Sequence, residues 1–149
     1  MPIKMETHHE GHKLLLGLVM PTYKRVRVEF NGQIIADTPN ALILCDHLYA
    51  PRYLFHKDDV NTGFLVENGE TSHNRMYASI HHYDVVVNGQ TANDAALNFA
   101  QAKGDQSDIS DYIGFEWDAM DHWYVEDEET FGHARHPYPR IDDRGRGGG

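Results

Sequence analysis

Val26, Val28 and Phe30 alternate with Arg27 and Glu29, the period of two that sends one face of a β-strand to a core and the other to water. The run stops at Asn31-Gly32, and a second run, Tyr77 to Asn88, stops at Asn88-Gly89. Asn-Gly between β-branched runs predicts a two-residue type I′ turn, whose central residues both need positive φ. The turns sit in an internal echo, since Val28, Asn31, Gly32, Gln33 and Asp37 recur at one constant offset as Val85, Asn88, Gly89, Gln90 and Asp94. Two equivalent hairpins predict two facing sheets related by an approximate two-fold. Strands are predicted at Arg25 to Asn31, Gln33 to Asp37, Ala41 to Cys45, Tyr53 to His56, Tyr77 to Asn88, Gln90 to Ala92 and Tyr112 to Trp117. The fold class is therefore mainly β, in a small single-domain, sandwich-like arrangement.

Two helices are predicted. Ala95 to Lys103 is rich in helix formers and stops at Gly104, which suits a C-terminal glycine. A short helix near the C-terminus, capped by Asp118, would end in Glu126, Asp127, Glu128 and Glu129, where the helix dipole disfavours negative charge. Cations are needed to answer those acids, and His133, Arg135, His136, Arg140 and Arg144 follow at once. Arg135 or Arg140 is thus expected to pair with Glu126, Asp127, Glu128, Glu129 or Asp142 and latch a basic tail. Residues 1–20 read as a polar, histidine-rich extension with an apolar run, Leu14 to Met20, closed by Pro21. Residues 21–144 read as the domain and 145–149 as a flexible glycine-rich tail.

Composition narrows the function. With 13 basic against 23 acidic residues the formal charge is -10, which repels nucleic acid and anionic membranes. A single cysteine, Cys45, rules out an internal disulfide and paired zinc knuckles; it reads as a small buried apolar side chain. Leu14 to Met20 is too short to span a bilayer, so no membrane partner and a cytoplasmic location are expected. Neither a phosphate-cradling glycine loop nor a G-x-S-x-G elbow occurs.

The end of the chain carries Asp127, Glu128, Glu129, Phe131, His133, Arg135, Pro137, Tyr138, Arg140, Ile141 and Asp142 in the order D-E-E-x-F-x-H-x-R-x-P-Y-x-R-I-D. This run resembles the closing signature of the domain of unknown function 427 family. Val26 to Asp37 is similar to that family's first hairpin, and Tyr53 to Val60 to its tyrosine-aromatic-acid strand. The resemblance implies a small β-tent-like fold and carries a nucleotidyltransferase label. Between Thr71 and Tyr83 the chain departs from the family pattern, with His73, Asn74, Met76, Tyr77 and His81 where relatives carry cysteine, proline, lysine, glycine and tyrosine. His56 and His82 are further departures, which implies a specialised pocket.

His81 and His82 are neighbours on a predicted strand and so point to opposite faces. Parity groups His81 with Tyr77, Ser79 and Tyr83, a polar file suited to a pocket floor. His73, His81 and Asp58 or Glu116 could hold zinc or iron, but no spacing singles them out; neither metal nor other cofactor is expected. The residues point to a cofactor-independent lyase, isomerase or dehydratase acting on a small organic molecule by histidine acid–base chemistry. His81 or His133 would move the proton and Arg135 would hold an anionic oxygen. Tyr53, Trp117, Tyr138, His73 and Tyr83 would line the pocket. The alternatives are a non-catalytic small-molecule binding module and a nucleotidyltransferase-like protein, which would need magnesium held by acids. A homodimer is left open.

Overall fold

The computed structural model describes residues 18–45 and 50–132. In chain order its strands are β1 (Leu18–Pro21), β2 (Val26–Phe30), β3 (Gln33–Thr38), β4 (Leu42–Cys45), β5 (Arg52–His56), β6 (Leu65–Ser72), β7 (Tyr77–Val87), β8 (Gln90–Ala102), β9 (Tyr112–Phe115), β10 (His122–Val125) and β11 (Glu128–Thr130). They form a seven-stranded sheet, ordered β1-β4-β5-β9-β8-β7-β6, and a four-stranded one, ordered β11-β10-β2-β3. All pairings are antiparallel. Among the described residues no helix is long and apolar enough to cross a membrane.

Both Asn-Gly turns form as expected. Asn31 and Gly32 have φ of 49° and 80°, Asn88 and Gly89 have 49° and 82°, and only residues that tolerate positive φ can make this turn. The hairpins belong to different sheets and touch, because Asn31 Nδ2 donates to the Val87 carbonyl at 2.9 Å. The echo is one of turns rather than whole hairpins: β2 and β3 have 5 and 6 residues, β7 and β8 have 11 and 13.

Two buried clusters hold the larger sheet. On its inner face Phe55, Val85, Val87, Ala96, Ile113 and Phe115 meet Val26, Val28, Ile35 and Trp123 of the smaller sheet. On its outer face Leu44, Leu54, Tyr77, Ile80, Leu97 and Phe99 are covered by Met76 and Ile109. β2, by contrast, buries alternate residues only, as a sheet wetted on one side should.

Neither predicted helix forms. Ala95 to Lys103 lies largely within β8, paired on both sides with β7 and β9. Alanine's helix propensity is worth tenths of a kcal/mol per residue, which central pairing and two-sided burial override. The C-terminal helix capped by Asp118 is replaced by one 3₁₀ turn, Trp117–Ala119, and the β10–β11 hairpin, whose turn holds Glu126 at φ 57°. Bulges also break the expected parity of β7. Register shifts around Ser79 put Tyr77 in the outer cluster, while Tyr83 packs on the inner one.

Candidate functional site

The chain between β5 and β6 must cross from one side of the larger sheet to its far edge. It does so over the inner face, where Val60 bridges to Ala36 and the Asn61 N–H donates to the Ile35 carbonyl at 2.8 Å. Between this crossing and the sheet lies a cavity of about 270 Å³ lined by Lys57, Thr62, Leu65, Tyr83, Asn98, Ser110 and Ile113. Asn98 is held still, since its Nδ2 donates to the carbonyls of Ser110 and Tyr112 at 2.8 and 3.0 Å. Lys57 reaches Asp111 at 3.3 Å. Desolvation, with the nearby Glu67 charge adding to it, pushes the Tyr83 phenol above its ordinary pKa, so it stays a neutral donor and acceptor.

His81 sits directly opposite Asn98, two residues from Tyr83 on the same face, and is half-buried. Tyr53 and Trp117 come together elsewhere, around Trp123. The Trp117 and Trp123 rings stack at 4.6 Å, and Tyr53 lies 6.1 Å from Trp123. Phe55, Ile113, Asn98 and His81 are successive partners across β5, β9, β8 and β7, so three strand spacings, about 14 Å, separate His81 from the strand bearing Tyr53. His73 is exposed just beyond β6. His133, Arg135, Tyr138 and the Arg135 or Arg140 latch lie outside the described residues.

Two of the acids near the C-terminus have partners among the described residues. Glu126 accepts from the Arg25 backbone N–H at 2.8 Å, and Glu129 meets His122 at 2.6 Å. With Lys24 and Phe131 they line a second, open cavity of about 630 Å³. Cys45 is half-buried, and burial raises its thiol pKa. No three His, Cys, Asp or Glu side chains converge in a metal-ligating group among the described residues.

A family model described as Domain of unknown function (DUF427) matches residues 18–126, from β1 to the β10–β11 turn. The chain belongs to the domain of unknown function 427 family. No curated protein matches it. The family match takes in both Asn-Gly hairpins, the crossing and the cavity, and it ends just before the closing acidic and basic run.

Sequence reasoning passed over one constellation. His82, on the outer face, has Ser72 on Nε2 at 2.7 Å and Asp94 on Nδ1 at 2.6 Å. Asp84 accepts from the Asp94 N–H at 2.7 Å and from Asn68 Nδ2 at 3.0 Å, which holds its carboxyl below the usual range. The opposed faces of His81 and His82 were legible. The partners were not, because bulges set them.

Proposed function

We propose that this member of the family is a cofactor-independent enzyme that acts on a small organic molecule by histidine acid–base chemistry, of lyase, isomerase or dehydratase type. The observation that carries the reading is the inner-face cavity, with His81 at the register position beside two of its walls, Tyr83 and Asn98. Imidazole exchanges protons near neutral pH, a neutral phenol can hydrogen-bond a carbonyl or hydroxyl, and Leu65 and Ile113 offer apolar contact. The acidic charge of -10 favours a small-molecule partner over nucleic acid, and a cytoplasmic location goes with this reading. His133 and Arg135 remain proposed contributors from the tail.

A fragment screen for ligands of the cavity, followed by turnover assays on analogues of the hits, tests it. His81→Ala should lower kcat about 10²- to 10⁴-fold with affinity little changed, and Tyr83→Phe should weaken binding. Affinity without turnover in the unaltered protein would favour the binding module instead. That runner-up draws on the wall itself, whose ionisable members are Lys57, already paired with Asp111, and Tyr83. Activity strictly dependent on magnesium would point to nucleotidyl transfer.

A further inference from the structure

The geometry points to a second site on the outer face of the larger sheet, where Ser72, His82 and Asp94 form a relay that makes Ser72 a nucleophile toward small carboxylic esters. It is independent of the inner-face cavity. Asp94 Oδ1 lies 2.6 Å from His82 Nδ1, and Ser72 Oγ lies 2.7 Å from His82 Nε2. A carboxylate only accepts, so Nδ1 carries the proton and Nε2 is left to accept from the Ser72 hydroxyl. This is the connectivity that lets imidazole act as base toward a serine while the acid fixes its tautomer.

The backbone is bent on both sides to achieve it. β6 carries extra residues between Glu67 and Thr71, with Gly69 at φ 83°, and β8 carries extra residues between Ala92 and Ala96, with Asp94 at φ 56°. Bulges of this kind re-aim side chains and gather beside active sites, and left-handed backbone at a non-glycine residue persists only where its surroundings fix it. Asp84 does the fixing, by accepting from the Asp94 N–H and from Asn68.

The site is open to substrate. Ser72 is exposed, and His82 keeps 16% of its side-chain surface. Leu97 opposite His82 and Ile80 opposite Ser72 belong to the covered outer cluster and seat the relay on an apolar base. β6 is the edge of the described sheet, so alternate N–H groups of that strand face outward without a ladder partner and can meet an oxyanion. In the reaction Ser72 Oγ attacks the ester carbonyl carbon while Nε2 takes the hydroxyl proton. The carbonyl carbon's bond to the alcohol oxygen breaks, and Nε2 returns the proton to that oxygen. Water then attacks the acyl carbon and gives a proton to Nε2; the bond to Ser72 Oγ breaks, and Oγ takes the proton back. Ser72 and His82 are the catalytic residues, and Asp94 is a positioning residue.

The full chain is treated with a fluorophosphonate probe and, separately, assayed with p-nitrophenyl acetate. The expected result is phosphonylation at Ser72 with release of fluoride, no label in Ser72→Ala, and labelling slowed at least about 100-fold in His82→Ala. Asp94→Asn, which tolerates the same left-handed backbone, should lower kcat about 10²- to 10⁴-fold and leave KM unchanged. Melting temperatures confirm folding, and His82→Gln replaces His82→Ala if the latter unfolds. Absence of label at Ser72 in the folded chain, or labelling of the His82 variant at the unaltered rate, overturns the proposal.

Discussion

His81 and His82 share a peptide bond and little else. His81 faces the inner side of the larger sheet, where Phe55 packs edge-on against Phe115 at 5.6 Å and the smaller sheet closes the core. His82 faces the outer side, where a smaller apolar cluster gives way to Ser72, Asp94, Asp84 and Asn68, joined by hydrogen bonds. The inner side is closed by packing and holds a small cavity under the crossing chain; the outer side is shaped by bulges and hydrogen bonds. Apolar burial is non-directional and supplies stability, whereas a polar network fixes particular atoms in place. One strand therefore serves holding on one face and positioning on the other.

Substitutions on the two faces should separate those roles. Phe55→Ala, at 0% exposure in the inner core, should cost about 3–5 kcal/mol in chemical denaturation; a loss below about 1 kcal/mol would break the assignment of the inner face as the stabilising one. Gly114→Ala comes next. A Cβ there would meet Arg52 Cδ at 2.9 Å and Leu54 Cδ2 at 3.3 Å on the outer face. The expected loss is about 1–3 kcal/mol from overpacking, together with displacement of Arg52 from Glu116, which it meets at 3.0 Å. Tyr77→Phe is milder, about 1 kcal/mol, for the hydrogen bond that its hydroxyl donates to the Ser107 carbonyl at 3.1 Å. Burial, with Asp108 adding to it, pushes the Tyr77 phenol up to about 12. Its folded pKa is raised, so stability from this group is complete below the ordinary value of 10 and falls as pH climbs through about 12. Spectrophotometric titration of the tyrosines in the wild type and the variant measures this.

The hairpins and the opposed histidines were legible because they follow from two short-range rules, Asn-Gly turn chemistry and strand parity. What escaped reading depends on partners. Counting back from the Asn88-Gly89 turn sets His82 against Ala95 and leaves Asp94 on the opposite face. The bulge moves the partner of His82 to Leu97 and brings the Asp94 carboxylate to Nδ1, and no local signal announces it except an aspartate able to adopt positive φ. The helix expected over Ala95 to Lys103 fails for a related reason, since only β7 and β9 on either side make that segment a strand. At the C-terminus His122, Trp123, Tyr124 and Val125 did carry a strand signal, aromatic and β-branched. Asp118 as a cap and the acids as a helix end point the other way. The inner cavity is the work of the crossing at 57–64, a tertiary feature without a sequence mark.

The smallest effect sharpens the contrast from the outer surface of the smaller sheet. His122 Nδ1 meets Glu129 at 2.6 Å across the β10–β11 hairpin. That hydrogen bond, followed by the charges of Glu129, Glu29 and Asp121, raises the imidazole pKa above 6.5 against a lesser opposing desolvation. A raised folded value means that the contact's contribution is complete below about 6.5 and is lost as pH rises through the folded pKa. Because the pair is exposed, solvent and salt should leave the stability change small. The titration midpoint is the sharper readout: followed by NMR, His122 should titrate above 6.5 in the wild type and lower in Glu129→Gln. The stability difference between the two proteins should shrink as pH increases. An unmoved midpoint would show that Glu129 does not hold the histidine, and would leave the acids of this hairpin free for the basic tail that follows them.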